Sequence, residues 1–155
     1  MHANINRRVA QLGIELPNPA PPAGSYVPFV LVGNLLLVAG QLPVWNGTLK
    51  HDGRIGAEIT IEDGIAAARL CGLNLLAQAR VACGGDLDRV RRVIRLAGFV
   101  QAGPGFTEHP KVLNGASDLM VEVFGQAGRH ARIAVGAASL PLGAAIEVEG
   151  MFEIA

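Results

Sequence analysis

Arg132 opens a run that is otherwise apolar and small, Ile133-Ala134-Val135-Gly136-Ala137-Ala138. A guanidinium cannot shed its charge by deprotonation, so in such surroundings it demands an anionic partner. Two chemistries answer that demand. The small neighbours leave room for a ligand carboxylate, which the N–H fork binds bidentately. Alternatively, an internal carboxylate bridges to the arginine and ties a sheet together. Glu147 and Glu149 alternate along a later extended segment and so share one of its faces. The residue types alone leave both readings open.

Other chemistries find less support. His2, His51, His109 and His130 are scattered as surface or loop histidines, and no His/Cys set has metal-ligand spacing. No glycine-rich phosphate loop, dinucleotide fingerprint or nucleophile elbow is present. The residues therefore call for no metal and no cofactor. Cys71 and Cys83 fall within one expected helix, about 18 Å apart along its axis, beyond disulfide reach. They read as reduced core residues. Arg89, Arg91 and Arg95 would share one strand face, with Val90, Arg92 and Ile94 on the other. A solvated face or inter-subunit ion pairs fit that run better than a phosphate site, because no aromatic residues interleave with it.

These residues need elements to hold them. A short amphipathic helix is expected over Ala3–Leu12, then a stiff Pro-rich connector, Pro17–Pro22. Together, residues 1–22 precede a core of residues 23–155, within one domain spanning 1–155. Tyr26–Val32 and Leu35–Ala39 form a hairpin about Gly33-Asn34, and Trp45–Gly56 reads as a polar loop. A long helix starts at a Thr60/Asp63 capping box, runs to about Ala82 and stops at Gly84-Gly85. Its stripe of Ile65, Ala68, Gly72, Leu75, Ala79 and Ala82 suits close packing on a sheet. A strand over Val90–Val100 follows. A second helix begins after Thr107, with Pro110 in its first turn, and reaches about Phe124. Strands over Ala131–Ala138 and Ala144–Ile154 close the chain. The order predicts an α+β fold with two long helices on one face of a sheet. Yet Phe29-Val30-Leu31-Val32 and Leu35-Leu36-Leu37-Val38 are apolar on both alternating sets, so the second face also needs cover. Other copies of the chain are expected to supply it.

Composition agrees. The 155 residues are 50% hydrophobic and only 17% charged, with 13 basic and 13 acidic residues in balance. Zero net charge argues against a general nucleic-acid binder. No run approaches the roughly 20 apolar residues of a membrane span, and the first residues lack a secretory h-region. A cytoplasmic location is expected.

Arg132, Leu140-Pro141 and Glu147-Val148-Glu149 together resemble the C-terminal pattern of the RidA/YjgF family of reactive-intermediate deaminases, also called endoribonuclease L-PSP-like. Tyr26, Gly33-Asn34 and Gly40-Gln41-Leu42-Pro43 resemble its N-terminal blocks at matching spacings. The likeness covers roughly Tyr26 to Glu153, in what looks like a divergent, longer branch. It implies a chorismate-mutase-like fold with a mixed sheet and a homotrimer with a β-barrel core. Active sites would lie in clefts between subunits. It further implies that Arg132 clamps a substrate carboxylate and Glu147 activates water, with no cofactor. Tyr26, Gly40 and Ala134 would line the cleft. Ala39 stands where the family has serine, and Ala134 where it has cysteine. Asn114, with Ser117, matches a polar helix position. The implied reaction is hydrolysis of enamines or imines such as 2-aminoacrylate to 2-keto acids and ammonia. A non-catalytic binder of small carboxylates in the same cleft is the alternative. Ribonuclease or translation-inhibitor activity fits poorly with balanced charge and few aromatics.

Overall fold

The structure, a computed structural model, describes residues 4–155. Helix α1 spans Ile5–Gln11, where the Asn4 side chain accepts from the Arg7 N–H and caps the first turn. Ala3, the expected start of this helix, and His2 lie outside the described residues.

Strands β1 (Phe29–Val32) and β2 (Leu35–Gln41) form the expected hairpin, with Gly33 taking the positive φ of its turn at 59°. Strand β1 starts later than Tyr26, since Pro28 has no N–H to give a ladder. The segment read as a plain loop holds a two-stranded ribbon, β3 (Val44–Trp45) and β4 (Thr48–Leu49). Asn46 and Gly47 turn it, at φ 48° and 88°. Asn-Gly is a strong two-residue hairpin signal, and here it outweighs the polar composition.

Helix α2 spans Ile61–Ala82, and Thr60 Oγ1 accepts from the Asp63 N–H as its cap. Gly84 and Gly85 end it at positive φ. Strand β5 follows over Val90–Gln101, then α3 over His109–Phe124 with Pro110 in its first turn. Strand β6 covers Ala131–Ala137 and β7 covers Ile146–Ile154. β7 begins after Ala144-Ala145, whose backbone is occupied by His51, Asp52 and Gln101.

The main sheet runs β1-β2-β7-β5-β6. Only β5 and β6 pair in parallel, so the sheet is mixed. Helix α2 lies over β2 and β7, and α3 over β5 and β6. Between helices and sheet sit Leu36, Leu75, Leu96, Leu113, Leu119, Ile146 and Phe152, all fully buried. At about 25 cal/mol per Å² of apolar area, burial of this kind is the main force holding the layers together. Gly72 departs from the expected packing on the sheet. A Cβ there would lie 2.9 Å from a Leu119 methyl group, so its face meets α3 instead.

Two irregularities in the β5–β7 register, at Arg91 and Ile94, also break the expected face pattern of the arginines. Each inserts one extra residue, so Val90, Val93 and Leu96 all point into the core at a spacing of three. Arg89 lies in the turn before the strand, where its guanidinium donates to the Ala155 carbonyl. Arg95 reaches Glu149 at 3.8 Å across the opposite face.

That opposite face carries Val30, Val32, Leu37, Ile133 and Val135, each between 37% and 60% exposed. Among the described residues no helix covers it, as the strands' two-sided apolar pattern anticipated.

Candidate active site

Strand β2 loses register with β7 between Val38 and Gln41. Ala39 and Gly40 there stand opposite one residue of β7, a β-bulge. The bulge sets Gly40 directly against the Glu147 side chain, and a Cβ on residue 40 would overlap the carboxylate. A side chain on residue 40 would therefore displace the carboxylate. Glu147 is half-buried, and Glu149 shares its face of β7, as their spacing predicts. Burial first, and the Glu149 charge second, raise the Glu147 carboxyl above its ordinary value. A carboxyl shifted upward is a stronger base than an unperturbed glutamate.

Beside the bulge opens a cavity of about 280 Å³, lined by Tyr26, Gly40, Leu42 and Val44, with Ala20–Ala23 of the Pro-rich connector as one wall. Two buried side chains of α2 fix these walls. Gln78 donates to the Ala20 carbonyl at 3.0 Å, and Asn74 donates to the Val44 carbonyl at 2.7 Å. The Tyr26 hydroxyl accepts from the Ala23 N–H at 3.1 Å, which sets the ring at the cavity edge. The connector's part in the cavity was not legible in its composition. Prolines announce stiffness, not the surface a stiff segment will dock on.

Arg132 lies elsewhere. It pairs with Leu96 across the β5–β6 ladder and so points to the helix side of the sheet. Glu147 pairs with Phe99 and points to the uncovered side. The two residues also lie on strands separated by β5. Within one chain they do not meet. The internal Arg132–glutamate bridge therefore does not form. Arg132 donates instead to two neutral acceptors of α3, Ser117 Oγ at 3.1 Å and the Pro110 carbonyl at 3.1 Å. Among the described residues it forms no ion pair within 4.0 Å. Ala134 follows on the same face, partly buried against the core. Asn114 is exposed on α3, one turn before Ser117.

Sequence reasoning passed over His130, read as a surface or loop residue. Its Nε2 lies 2.9 Å from Ser117 Oγ and its Nδ1 2.6 Å from the Gly128 carbonyl. Its place two residues before Arg132, on the face that Arg132 and Ala134 share, was the available signal. His109, also read as scattered, begins α3 and packs edge-on against Phe106. Both cysteines are buried and free, and burial holds the Cys71 thiol well above its ordinary value, so neither is a nucleophile. Among the described residues, no group of three metal-ligating side chains converges. No helix among them is long and apolar enough to cross a membrane.

Two candidate half-sites thus stand apart among the described residues. One is a carboxyl at a bulge beside an apolar cavity. The other is a guanidinium free of any carboxylate, on the far edge strand and the other face. Known proteins share this architecture. Residues 6–153 match the family model described as "YjgF/chorismate_mutase-like, putative endoribonuclease". Protein TCP17 of Trypanosoma cruzi is 50% identical over 98% of this chain and 92% of its own length. A crystal structure of a protein of unknown function from Agrobacterium tumefaciens is 46% identical, with a TM-score of 0.90, covering 97% of this chain and 92% of that one. A Shewanella oneidensis structure, carrying the same endoribonuclease description, is 39% identical with a TM-score of 0.94, covering 98% and 100%. By family model, sequence and architecture alike, this chain belongs to the YjgF/RidA family that its two sequence blocks resemble.

Proposed function

We propose that the chain hydrolyses reactive enamines and imines of the 2-aminoacrylate type to 2-keto acids and ammonia, in clefts shared between copies in a homotrimer. The observation that carries this reading is the state of Arg132. It is half-buried, held by neutral oxygens alone, and still has N–H groups to offer a carboxylate. The uncovered apolar face supplies the reason to assemble, and wrapping three such sheets into a barrel would bury it. Assembly would bring the Arg132 edge of one copy to Glu147 and the neighbouring cavity of the next.

The chemistry asks little of the protein. An enamine takes a proton at carbon, sheds one from nitrogen and becomes an imine, which water already attacks slowly. Arg132 fixes the carboxylate and so orients the C=N carbon. Glu147 takes a proton from the attacking water as the C–O bond forms. It passes that proton to nitrogen, giving a carbinolamine, then takes the carbinolamine hydroxyl proton and delivers it to nitrogen as the C–N bond breaks and C=O forms, releasing ammonia and the keto acid. Ala39 and Ala134 make the cleft more apolar than serine and cysteine would. They favour a second reading, a sensor that binds a small carboxylate without turning it over. Glu147→Gln separates the two, because a catalyst loses turnover and a sensor keeps its binding. RNA cleavage, the activity in the family description, has against it the chain's balanced charge.

The test is release of ammonia and keto acid from enzymatically generated 2-iminopropionate and longer imines, wild type beside Arg132→Ala. Acceleration lost in the variant is the expected result. No acceleration over buffer across the panel overturns the deaminase reading.

A further inference from the structure

A carboxylate clamp is only as precise as the hold on its guanidinium. An arginine fixed by a partner carboxylate has spent its charge. One left loose pays rotamer entropy each time it binds. Arg132 avoids both, and the way it does so has a direction. The Gly128 carbonyl can only accept, so at 2.6 Å it requires the hydrogen of His130 to sit on Nδ1. Nε2 of the neutral ring is then a lone pair, and at 2.9 Å it accepts the Ser117 hydroxyl hydrogen. With its hydrogen committed, the Ser117 oxygen turns its lone pairs to Nη1 of Arg132 at 3.1 Å. The end of the chain is rigid. Gly128 packs so closely on the Met120 carbonyl of α3 that a Cβ there would overlap it. Pro110, in the first turn of the same helix, holds Nη2.

We propose that Ser117 and His130 are positioning residues for Arg132, a one-way hydrogen-bond chain that presents its guanidinium to a substrate carboxylate without neutralising it. The proposal rests on the reading of Arg132 as the clamp. It assigns to His130 a role that neither charge nor metal binding explains. It also accounts for the polar helix position at Ser117, whose hydroxyl points at the arginine from one helix turn beyond Asn114. Nε–H and one hydrogen on each terminal nitrogen stay available to a ligand. The Ser117–His130 pair also has the distance of a nucleophile and its base. Against that role stands the use of the Ser117 lone pair by a cation, which lowers its nucleophilicity.

The experiment measures rotation about the Cζ–Nε bond of Arg132 by NMR in the full chain, together with imine turnover and pyruvate titration. The variants are Ser117→Ala, Ser117→Thr, His130→Leu and His130→Gln. Expected is slow rotation in the wild type and faster rotation in Ser117→Ala and His130→Leu. Ser117→Thr and His130→Gln keep a hydrogen-bonding atom and restore it. KM should rise about tenfold in the first two variants with kcat little changed, as expected for loss of one hydrogen bond to a charged group. Unchanged rotation in Ser117→Ala and His130→Leu overturns the proposal. So does a loss of kcat at constant KM, which would make Ser117 the nucleophile. If no protein turns over imine, yet rotation and pyruvate affinity change together in the expected order, the positioning role stands and the deaminase reading falls.

Discussion

Glu147 is the residue whose environment speaks most directly about mechanism. Its carboxyl is raised first by burial and then by Glu149, so the acidic limb of kcat/KM should lie above the value of an unperturbed glutamate. Glu149→Gln removes the second cause and should move that limb to lower pH, read from a pH–rate profile, while the hydrolysis persists. The same shift predicts stability. A carboxyl raised on folding holds its proton more tightly in the native state, so its contribution is intact below the unfolded value and lost as pH rises through the folded one. Glu147→Gln should therefore be more stable than wild type at pH 8 in urea titrations, with the difference shrinking below pH 4, even as turnover disappears. At this scale the sequence was informative where a residue contradicts its neighbours. Arg132 among small apolar residues and Glu147 beside Glu149 both stood out. His130 did not, because its partners come from α3 and a turn, and only tertiary packing brings those to β6.

Two close approaches hold the elements in register. Gly115 of α3 faces the Ile65 carbonyl of α2, and a Cβ there would overlap backbone rather than a side chain that could swing aside. Gly115→Ala must push the helices apart, and should cost about 1–3 kcal/mol, the range for overpacking, in urea or thermal unfolding. At Gly40 the neighbour is the flexible end of Glu147, so relief is available. Gly40→Ala should leave the melting temperature nearly unchanged and lower imine turnover, because the carboxylate is what moves. The helices were legible in advance, since Thr60, the Gly84-Gly85 stop and Pro110 act within a turn of where they stand. The bulges at Ala39–Gly40, Arg91 and Ile94 were not. A bulge is a mismatch between two strands, and strand β7, against which all three are defined, begins only at Ile146, far along the chain from each of them. Periodicity within β5 alone therefore placed its arginines on a regular strand. The Asn46-Gly47 turn, by contrast, was readable and outvoted by the polarity around it.

At the scale of the molecule, Arg132 and Glu147 are set apart within one chain. Its guanidinium sits on the helix side of one edge strand, and its carboxyl on the uncovered side two strands away. The uncovered side is apolar along β1, β2 and β6, where an isolated domain would gain by carrying charge. The proposed homotrimer would resolve both, as a ring in which each copy lends Arg132 to its neighbour's Glu147. A closed heterologous ring satisfies every such site equally. The consequence is measurable without knowing the natural substrate. Arg132→Ala and Glu147→Gln should each be inactive alone on 2-iminopropionate. Co-expressed in equal amounts, they form mixed assemblies in which a site is intact when its arginine comes from one variant and its glutamate from the other. Random mixing restores about a quarter of wild-type activity, one half multiplied by one half. A site built within one chain restores none, because every copy then carries a lesion. Mixing the two purified variants without subunit exchange should also restore none, which separates assembly from a soluble contaminant. Activity near a quarter would place both half-sites in one shared cleft. Its absence in mixed assemblies verified by mass spectrometry would show that Arg132 and Glu147 serve separate purposes.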